Sequence, residues 1–399
     1  MYRAKYLLSI LFFLAFTGTI HTVSAGILSG PENIRLEQET FSDRELTLLS
    51  ELSENDHSEE GLTKVGCCRM YGHAWDIVAN NKYAYVADGP EGLQIIDIHN
   101  PTNPEIIGSF ETPGYAWGIA VNGPYAYIAT GSTGLQVIDI SDPRDPRVAG
   151  YCDTPGYARK VSINGNYAYI ADGSRGLQIL DISDPEKPVR TGSYKVSGNS
   201  RGIATKGNYA YITSYVPEHG SGLQIIDISD PEDPKQMSSL ETSGFAYTIA
   251  INERYAYVVD WGSGLKIIDI SDPLYPREAG SYQISWFARG IAVKGNYAYV
   301  ADGYDGLRVI NIKDPMDILH IGDYDTPGYA LGVSINGNYI YIADGEGGLQ
   351  VLRFHAPENP KTMHSNNIFF GSGGLISYSF MLPAAIVNPF RKESLKQVG

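Results

Sequence analysis

One short segment returns seven times along this chain and constrains its fold more than any other feature. The copy that begins at Tyr125 reads YAYIATGSTGLQVIDISDP. Its first residue recurs every 42 residues, with one interval of 46, at Tyr83, Tyr125, Tyr167, Tyr209, Tyr255, Tyr297 and Tyr339. Self-similarity at one period in this range is typical of solenoids, arrays and propellers. The chain therefore consists mainly of seven equivalent units.

Each unit contains four short apolar runs separated by turn residues. In the second copy the runs are 117–121, 125–129, 135–140 and 148–151, and they are rich in Val, Ile and Tyr. Such runs, bounded by Gly, Asn, Asp and Pro, predict β-strands. A single antiparallel meander with apolar residues on both faces must be covered on both sides, and radial repetition provides that cover. The sequence predicts an all-β fold, a seven-bladed β-propeller of four-stranded antiparallel blades.

The two ends of the repeat region predict how the ring closes. The last copy lacks a fourth strand, whereas the segment VGCCR at 65–69 aligns with the fourth strand of another copy at 149–153. We therefore expect the N-terminal segment to supply the outer strand of the last blade, because this pairing removes an exposed strand edge. The propeller is then predicted to span residues 64–364.

The recurring third strand also resembles a known family. The segment GLQIIDISDP at 222–231, together with its variants GLQVIDISDP and GLKIIDISDP, is similar to LVIVD repeats, which occur in secreted or surface propellers of bacteria and archaea. The resemblance covers about residues 64–360. It implies a β-propeller fold and a cell-surface setting, and it implies no catalytic residue.

The segments outside the repeats predict export. Residues 1–25 combine a basic start, an apolar run and a small-residue cleavage site, which predicts a secretory signal peptide. Residues 26–63 are acidic and predict a flexible leader, or a segment that folds onto the propeller. Residues 365–399 predict a hairpin, a short second module or a weak envelope-retention segment, with membrane contact only through 375–390, where two prolines interrupt the apolar run.

Composition excludes two classes of protein. The formal net charge is −15, so a general nucleic-acid binder, which needs a basic face, is not expected. The three cysteines form no disulfide framework, because Cys67 and Cys68 are neighbours in one strand and Cys152, in the second blade, lies too far around the predicted ring to bridge to them. We expect a monomer that relies on its apolar core.

Positions that fail to repeat are candidates for function, because packing fixes the residues that the copies share. The copies differ most at the start of the innermost strand, beside the central channel. The residues there are Trp75, Trp117, Arg159, Arg201, Tyr247, Arg289 and Leu331. Arginine and aromatic side chains around a channel mouth can stack on a planar or sugar ring and pair with a carboxylate. The alternative is that they plug the channel or form ion pairs with adjacent acids.

Further departures from the repeat fall on the same predicted face. Trp286 occupies a position that is Gly in the other copies, and the four extra residues of the fourth copy lie between Tyr209 and Gly222. Insertions in repeat proteins often map to a binding face. The remaining candidate ligand-binding residues are His73, Tyr215, His219, Trp261 and Tyr304.

Neither a metal site nor a catalytic group is predicted. Aspartates recur before Gly, as at Asp88 and Asp172, but Thr130 and Ser214 interrupt the series, and both Asp-Gly and the Asp-Pro of the DISDP segments are turn sequences. The motifs GxSxG, HExxH and CxxC do not occur. We therefore expect no metal, no cofactor and no assignable catalytic residue.

Three functions are compatible with these features. The leading hypothesis is a secreted or cell-surface module that binds an extracellular protein, peptide or glycan through its loop face, without enzymatic activity. The alternative is an extracellular polysaccharide lyase or hydrolase, in which Arg159 or Arg201 neutralises a substrate acid and Tyr247 or His73 transfers a proton. The third is a structural component of the cell envelope with no discrete site.

Overall fold

The computed structural model describes residues 22–24, 38–40, 61–215 and 221–357. The chain divides into two units, 1–361 and 362–399, and every described residue belongs to the first. Two short strands, β1 (Thr22–Ser24) and β2 (Gln38–Thr40), pair antiparallel with each other. All other described strands form seven four-stranded antiparallel sheets.

The sheets are the blades of a propeller, numbered here in chain order and each given from its innermost strand outward. Blade 1 contains β4 (Asp76–Ala79), β5 (Tyr83–Ala87), β6 (Leu93–Asp97) and β7 (Glu105–Phe110). Blade 2 contains β8 (Gly118–Asn122), β9 (Tyr125–Ala129), β10 (Leu135–Asp139) and β11 (Arg147–Cys152). Blade 3 contains β12 (Lys160–Asn164), β13 (Tyr167–Ala171), β14 (Leu177–Asp181) and β15 (Val189–Tyr194).

The remaining blades follow the same order. Blade 4 contains β16 (Asn199–Lys206), β17 (Tyr209–Tyr215), β18 (Ser221–Asp227) and β19 (Lys235–Thr242). Blade 5 contains β20 (Phe245–Ile251), β21 (Tyr255–Trp261), β22 (Gly264–Asp269) and β23 (Arg277–Tyr282). Blade 6 contains β24 (Gly290–Lys294), β25 (Tyr297–Ala301), β26 (Leu307–Asn311) and β27 (Leu319–Tyr324). Blade 7 contains β28 (Gly332–Asn336), β29 (Tyr339–Ala343), β30 (Leu349–Phe354) and, as its outermost strand, β3 (Leu62–Cys68).

The strand that the sequence predicted to close the ring does so. Strand β3 pairs antiparallel with β30, from Leu62 opposite Phe354 to Cys68 opposite Leu349. The first and last parts of the propeller chain are therefore hydrogen-bonded within one blade. The prediction of a seven-bladed, all-β propeller closed by an N-terminal outer strand is confirmed.

The alternation of side chains along each strand explains why the blades pack on both faces. In β9, Ala126 and Ile128 belong to the apolar cluster between blades 1 and 2, whereas Tyr127 and Ala129 belong to the cluster between blades 2 and 3. All four are almost completely buried. Because successive residues of a strand point to opposite faces, the repeated YAYIA supplies both clusters at once. The described residues contain seven such clusters, one between each pair of neighbouring blades.

The outer edges of neighbouring blades meet where a glycine faces a proline turn. A Cβ atom on Gly108 in β7 would lie 2.0 Å from the carbonyl oxygen of Pro143, which belongs to the Asp-Pro turn of blade 2. Gly150 faces Pro185 of blade 3 in the same way. The repeated glycine of the fourth strand and the repeated DPxxP turn are therefore two sides of one contact between blades.

Aspartates of the repeated turns have backbone partners. Asp97 accepts a hydrogen bond from the backbone N–H of His99 at 2.9 Å, and Asp142 accepts one from Arg144 at 3.0 Å. Both bonds form Asx-type turns, and that of Asp142 is the one expected for the Asp-Pro segment. The three cysteines are unpaired. Within the ranges that the structure describes, there is no helix of the length and apolarity needed to cross a membrane.

Candidate functional site

The innermost strands surround a cavity of about 170 Å³. Six predicted site residues line it, and we call these six the channel mouth: Trp75, Trp117, Arg159, Arg201, Tyr247 and Arg289. Leu331, from blade 7, also lines the cavity and is buried. Each residue lies at the start of the inner strand of a different blade: Arg201 and Tyr247 are the third residues of β16 and β20, and the others directly precede their strands. The ring geometry therefore brings together side chains that are far apart in sequence.

One side of the channel mouth is aromatic. The rings of Trp75 and Trp117 lie 4.5 Å apart between centroids. Each indole N–H donates to a tyrosine of the next blade, Trp75 to Tyr115 at 2.7 Å and Trp117 to Tyr157 at 2.9 Å. These hydrogen bonds fix the orientation of both indoles, because each nitrogen has only one proton to donate. The aromatic wall is therefore held in place before any ligand binds.

The other side of the channel mouth is cationic. The Arg159 guanidinium lies 5.3 Å from the Trp117 ring centroid and 4.9 Å from that of Tyr157. Arg289 lies 3.8 Å from the centroid of the Trp261 ring, and Arg201 lies 5.7 Å from that of Tyr247. These are cation–π distances, which hold a guanidinium without neutralising its charge.

The three guanidiniums of the mouth form no ion pair with any carboxylate of the described residues. The Nε atoms of Arg159 and Arg289 are buried and have no hydrogen-bond partner among the described residues. The pKa of Arg159 is lowered, first by burial and then by the neighbouring positive charge of Arg201. Like charges held together in a partly buried cavity favour the binding of an anion.

Asp76, the acid that lines this cavity, forms an ion pair with Lys160 beneath the mouth. Lys160 Nζ lies 2.6 Å from Asp76 Oδ1, and the backbone N–H of Ile119 donates to Asp76 Oδ2 at 2.8 Å. The pair reaches across blade 2, where the equivalent residue is Gly118 and presents no side chain. Both Asp76 oxygens therefore have partners other than the arginines of the mouth.

Trp261 replaces a backbone contact between blades 5 and 6. In blade 2 the residue at this position is Gly131, which exchanges two backbone hydrogen bonds of 3.0 Å with Ala158 of blade 3. In blade 5 the Trp261 indole N–H donates instead to the carbonyl of Ala288 at 2.5 Å. Its ring stacks on Tyr247, with centroids 4.5 Å apart and planes 14° apart. Trp261 thus supports the lining of the mouth and links two blades.

His73 borders the aromatic wall. Its ring centroid lies 5.0 Å from that of Trp75, and burial lowers its pKa. Its Nδ1 atom has no hydrogen-bond partner among the described residues. His73 therefore extends the wall as a ring that tends to be neutral.

Three other predicted residues lie outside the cavity lining. Trp286 is 66% exposed, and the edge of its ring covers Gly262 of blade 5. Tyr304 packs edge-on against Tyr329 at 4.5 Å, and Tyr215 packs edge-on against Phe245 at 4.5 Å. The twelfth predicted residue, His219, lies outside the described residues. The assignment of all twelve to ligand binding stays a prediction.

Sequence reasoning missed several residues that shape the mouth. Tyr115 and Tyr157 belong to the repeated segment Gly-Tyr-Ala, and that repetition was the available signal that they have a common structural role. Asp76 and Lys160 stand where Gly118 and other copies have Gly, which marks them as departures from the repeat. Their pairing could not be inferred, because it joins residues of two blades that are not neighbours.

The recurring aspartates at the end of the second strand are buried acceptors. Asp88 accepts a hydrogen bond from the backbone N–H of Gly72 at 3.2 Å, and Asp344 accepts one from Gly328 at 2.8 Å. Thr154 Oγ1 donates to Asp172 at 2.7 Å. Burial raises the pKa of Asp88 to about 7 and that of Asp172 and Asp344 to about 6. Each carboxyl thus connects the turn after the second strand of its blade to the segment that enters the blade from the preceding one.

The ring of blades and the gathered variable side chains define a class of protein. A constant scaffold of seven β-propeller blades carries non-repeating residues at the mouth of its channel, as expected of a repeat protein that serves as an interaction module. The LVIVD repeat matches the chain seven times, at 71–112, 113–154, 155–196, 197–242, 243–284, 287–326 and 327–361. The chain belongs to the LVIVD-repeat family, and the suspected resemblance is confirmed.

Solved structures of low sequence identity share the fold. The β-propeller domain of Cps50 (Swd1) from Myceliophteria thermophila is 13% identical, with a TM-score of 0.59 over 74% of this chain and 100% of that chain. BamB from Moraxella catarrhalis is 15% identical, with a TM-score of 0.52 over 75% and 99%. The computationally designed Ika8 protein is 9% identical, with a TM-score of 0.54 over 73% and 99%. No curated protein sequence matches the chain.

Proposed function

We propose that this protein is an exported interaction module that binds the acidic end of an extracellular glycan in its channel mouth. The observation that carries the proposal is the set of three guanidiniums, Arg159, Arg201 and Arg289, which line one cavity without an ion-pair partner among the described residues. The chain as a whole carries a formal charge of −15. A cluster of unpaired cations on such a chain requires an explanation, and an anionic ligand provides one.

The geometry favours a carboxylate attached to a ring. A guanidinium presents donors in a planar fork that matches a carboxylate, and a tryptophan face suits the apolar face of a sugar. Trp75 and Trp117 stand beside Arg159 in the same cavity. A cavity of about 170 Å³ is far too small for a folded domain, so it suits the end of a chain. A uronic acid, which carries its carboxylate on the sugar ring, meets these conditions.

The location of the protein is part of the proposal. Residues 1–25 have the pattern of a secretory signal peptide, which would bring the propeller to extracellular glycans. Mass spectrometry of secreted and envelope fractions from the producing cell tests this directly. The expected result is a mature N-terminus at Gly26. Recovery of the uncleaved chain from the cytoplasm alone would contradict export.

Binding is tested with two trisaccharides that differ in charge. Trigalacturonate and neutral galactotriose are titrated into the mature protein by isothermal titration calorimetry, and the acidic sugar alone is expected to bind. Substitution of the three mouth arginines by Gln, as R159Q/R201Q/R289Q, should lower the affinity for trigalacturonate at least about 100-fold. The reason is that hydrogen bonds to charged groups contribute about 1.5–3 kcal/mol each.

A charge-matched control separates local contact from total charge. The triple variant R144Q/R147Q/R277Q removes the same number of charges from exposed positions and should bind trigalacturonate as the wild type does. Retained binding in the mouth variant would refute the site. A preference for an acidic peptide over trigalacturonate would support the channel mouth as the binding site and show that its ligand is a peptide, not a glycan. Cleavage of the trisaccharide, detected by mass spectrometry, would favour the enzyme alternative.

A further inference from the structure

A second basic surface lies on blade 3, away from the channel. A groove of about 590 Å³ is lined by the turn between β13 and β14, by β14 and by the outermost strand β15 with the residues that follow it. We call it the blade-3 groove, and its lining residues are Pro155, Ser174, Arg175, Gln178, Arg190, Thr191, Gly192, Ser193 and Lys195. None of these residues lines the channel mouth.

The groove contains three cations that form no ion pair, although Arg175 acts electrostatically on the buried carboxyl of Asp172. Arg175, Arg190 and Lys195 form no ion pair with a carboxylate of the described residues. Most lysines and arginines of the described residues form no ion pair, so it is the clustering of these three that is informative. Three cations that line one groove on a protein of net charge −15 give a local excess of positive charge.

The same positions in the other blades show that this excess is particular to blade 3. The residues at the position of Arg175 are Glu91, Thr133, Ser221, Ser263, Asp305 and Gly347. Those at the position of Arg190 are Ile106, Val148, Gln236, Glu278, His320 and Lys64. Those at the position of Lys195 are Glu111, Asp153, Glu241, Gln283, Asp325 and Arg69. Blade 7 is basic at two of the three positions, and blade 3 alone is basic at all three.

Blades 5 and 6 show an ion pair in the region that corresponds to the groove. In blade 5, Lys266 of the third strand lies 3.2 Å from Glu278 of the fourth strand. In blade 6, Arg308 lies 2.9 Å from Asp323 across the same pair of strands. In both, one strand offers the cation and the other offers the carboxylate. The space between the third and fourth strands is therefore shaped for an ion pair.

Blade 3 lacks the acidic half of this arrangement. Gln178 stands at the position of Lys266 and Arg308, and Arg190 stands at the position of Glu278. Gln178 is 2% exposed, and its Nε2 atom donates to the carbonyl of Arg175 at 3.2 Å. Its buried Oε1 atom has no partner among the described residues. A buried acceptor of this kind favours a ligand that donates a hydrogen bond beside its anionic group.

We propose that the blade-3 groove binds a phosphate monoester carried on a hydroxyl-bearing group, that is, a sugar phosphate. Three cations exceed what one carboxylate neutralises, whereas a phosphate monoester carries about −1.5 to −2 charges and three acceptor oxygens at neutral pH. The groove is larger than the phosphate, and its hydroxyls and the Gln178 Oε1 atom can bond to the sugar. This site is independent of the proposed glycan binding at the channel mouth.

The proposal is tested by equilibrium titration with four named probes. Glucose 6-phosphate, inorganic phosphate, glucuronate and glucose are titrated into the mature protein. Glucose 6-phosphate is expected to bind most tightly, with glucuronate at least about tenfold weaker, because the phosphate has twice the charge to pair with arginine. Equal affinity for glucuronate and glucose 6-phosphate, or no binding of either phosphate at millimolar concentration, would overturn the proposal.

Two variants locate the site. R175Q/R190Q removes two guanidiniums and should lower the affinity for glucose 6-phosphate at least about tenfold. Q178E adds a carboxylate beside the same arginines and allows an ion pair across the two strands, with the charges reversed relative to blades 5 and 6, so it should compete with the phosphate and abolish binding while preserving the fold. Q94E makes the same change in blade 1, where no basic groove exists, and should leave binding unchanged.

The mouth variant R159Q/R201Q/R289Q distinguishes the two sites. It should bind glucose 6-phosphate as the wild type does, since none of its substitutions lies in the blade-3 groove. Loss of phosphate binding in this variant, with binding retained in Q178E, would assign the phosphate to the channel and refute the groove. Circular dichroism and the thermal midpoint confirm folding, and Q178E carries the test if R175Q/R190Q does not fold.

Discussion

Breaking the ion pair beneath the mouth should change stability and ligand affinity in opposite directions. In the variant D76N, the amide oxygen still accepts the hydrogen bond from Ile119, but the negative charge that faces Lys160 is lost. The exposed fractions of the two side chains are 9% for Asp76 and 32% for Lys160. Removing one partner costs about 3–5 kcal/mol for a buried pair and less than about 1 kcal/mol for an exposed one. We expect a loss of about 2 kcal/mol in the free energy of unfolding.

The same substitution leaves Lys160 as a fourth positive charge below the three arginines. Anion affinity at the mouth should therefore rise, by about threefold to tenfold for a monoanion, which corresponds to about 0.7–1.4 kcal/mol. The variant K160M has the reverse effect on binding, because it leaves Asp76 as a negative charge beside the cavity. Both single variants lower stability, so the two variants agree in one measurement and differ in sign in the other.

Urea unfolding and trigalacturonate titration of D76N, K160M and the double variant form a complete cycle. The expected coupling energy in the unfolding experiment is about 1.5 kcal/mol, with neither single variant changing the denaturant slope. A coupling below about 0.5 kcal/mol would show that the pair does not stabilise the fold. If D76N and K160M changed the affinity in the same direction, the electrostatic account of the mouth would be wrong.

Two further perturbations test the scaffold. Burial raises the pKa of Asp88 from 3.8 to about 7, so the folded state retains a proton that the unfolded chain releases, and stability should fall as pH rises from about 4 to about 7. D88N keeps the acceptor but removes this titration, so the free energies of urea unfolding at pH 5 and pH 8 should differ by about 2.5 kcal/mol less than in the wild type. An unchanged difference would exclude Asp88 as its source. G108A places a methyl group against the carbonyl of Pro143 and should lower the free energy of urea unfolding by about 1–3 kcal/mol. S109A, in the same strand but exposed, should lower it little. Equal effects of the two substitutions would refute the close contact between blades.

The fold was predictable because the same strand and turn segments recur seven times along the chain. The alternation in YAYIA supplies both blade faces, and the Asp-Pro turns and glycines supply the contacts between blades. The closing strand was predictable for a related reason, since the segment at 65–69 matches a fourth strand in the copies that have one. Each of these inferences needs only the shared residues and the pairing rules of strands.

The site was predictable only in part, because it depends on contacts between non-equivalent positions. The ring brings the start of every inner strand to the same channel, so departures from the repeat located the mouth arginines and tryptophans. The link between Asp76 and Lys160 depends on the absence of a side chain at Gly118, which is a property of three blades together. The blade-3 groove likewise emerges only when β14 and β15 are set beside their counterparts in blades 5 and 6.

The two proposals place anion binding on a strongly acidic protein, and the distribution of partners among its charged residues is consistent with that. Many of its acids are engaged within the fold: Asp97 and Asp142 accept backbone hydrogen bonds in turns, and Asp88 does so from a buried position. The cations of the channel mouth and of the blade-3 groove have no such partners among the described residues. At distances beyond the Debye length of about 8 Å, the net negative charge repels an anion only weakly at physiological salt. Close to Arg159 or Arg175, the guanidiniums dominate the local field, so the two proposals predict that anions bind at these two places and that other polyanions are not attracted to the rest of the surface.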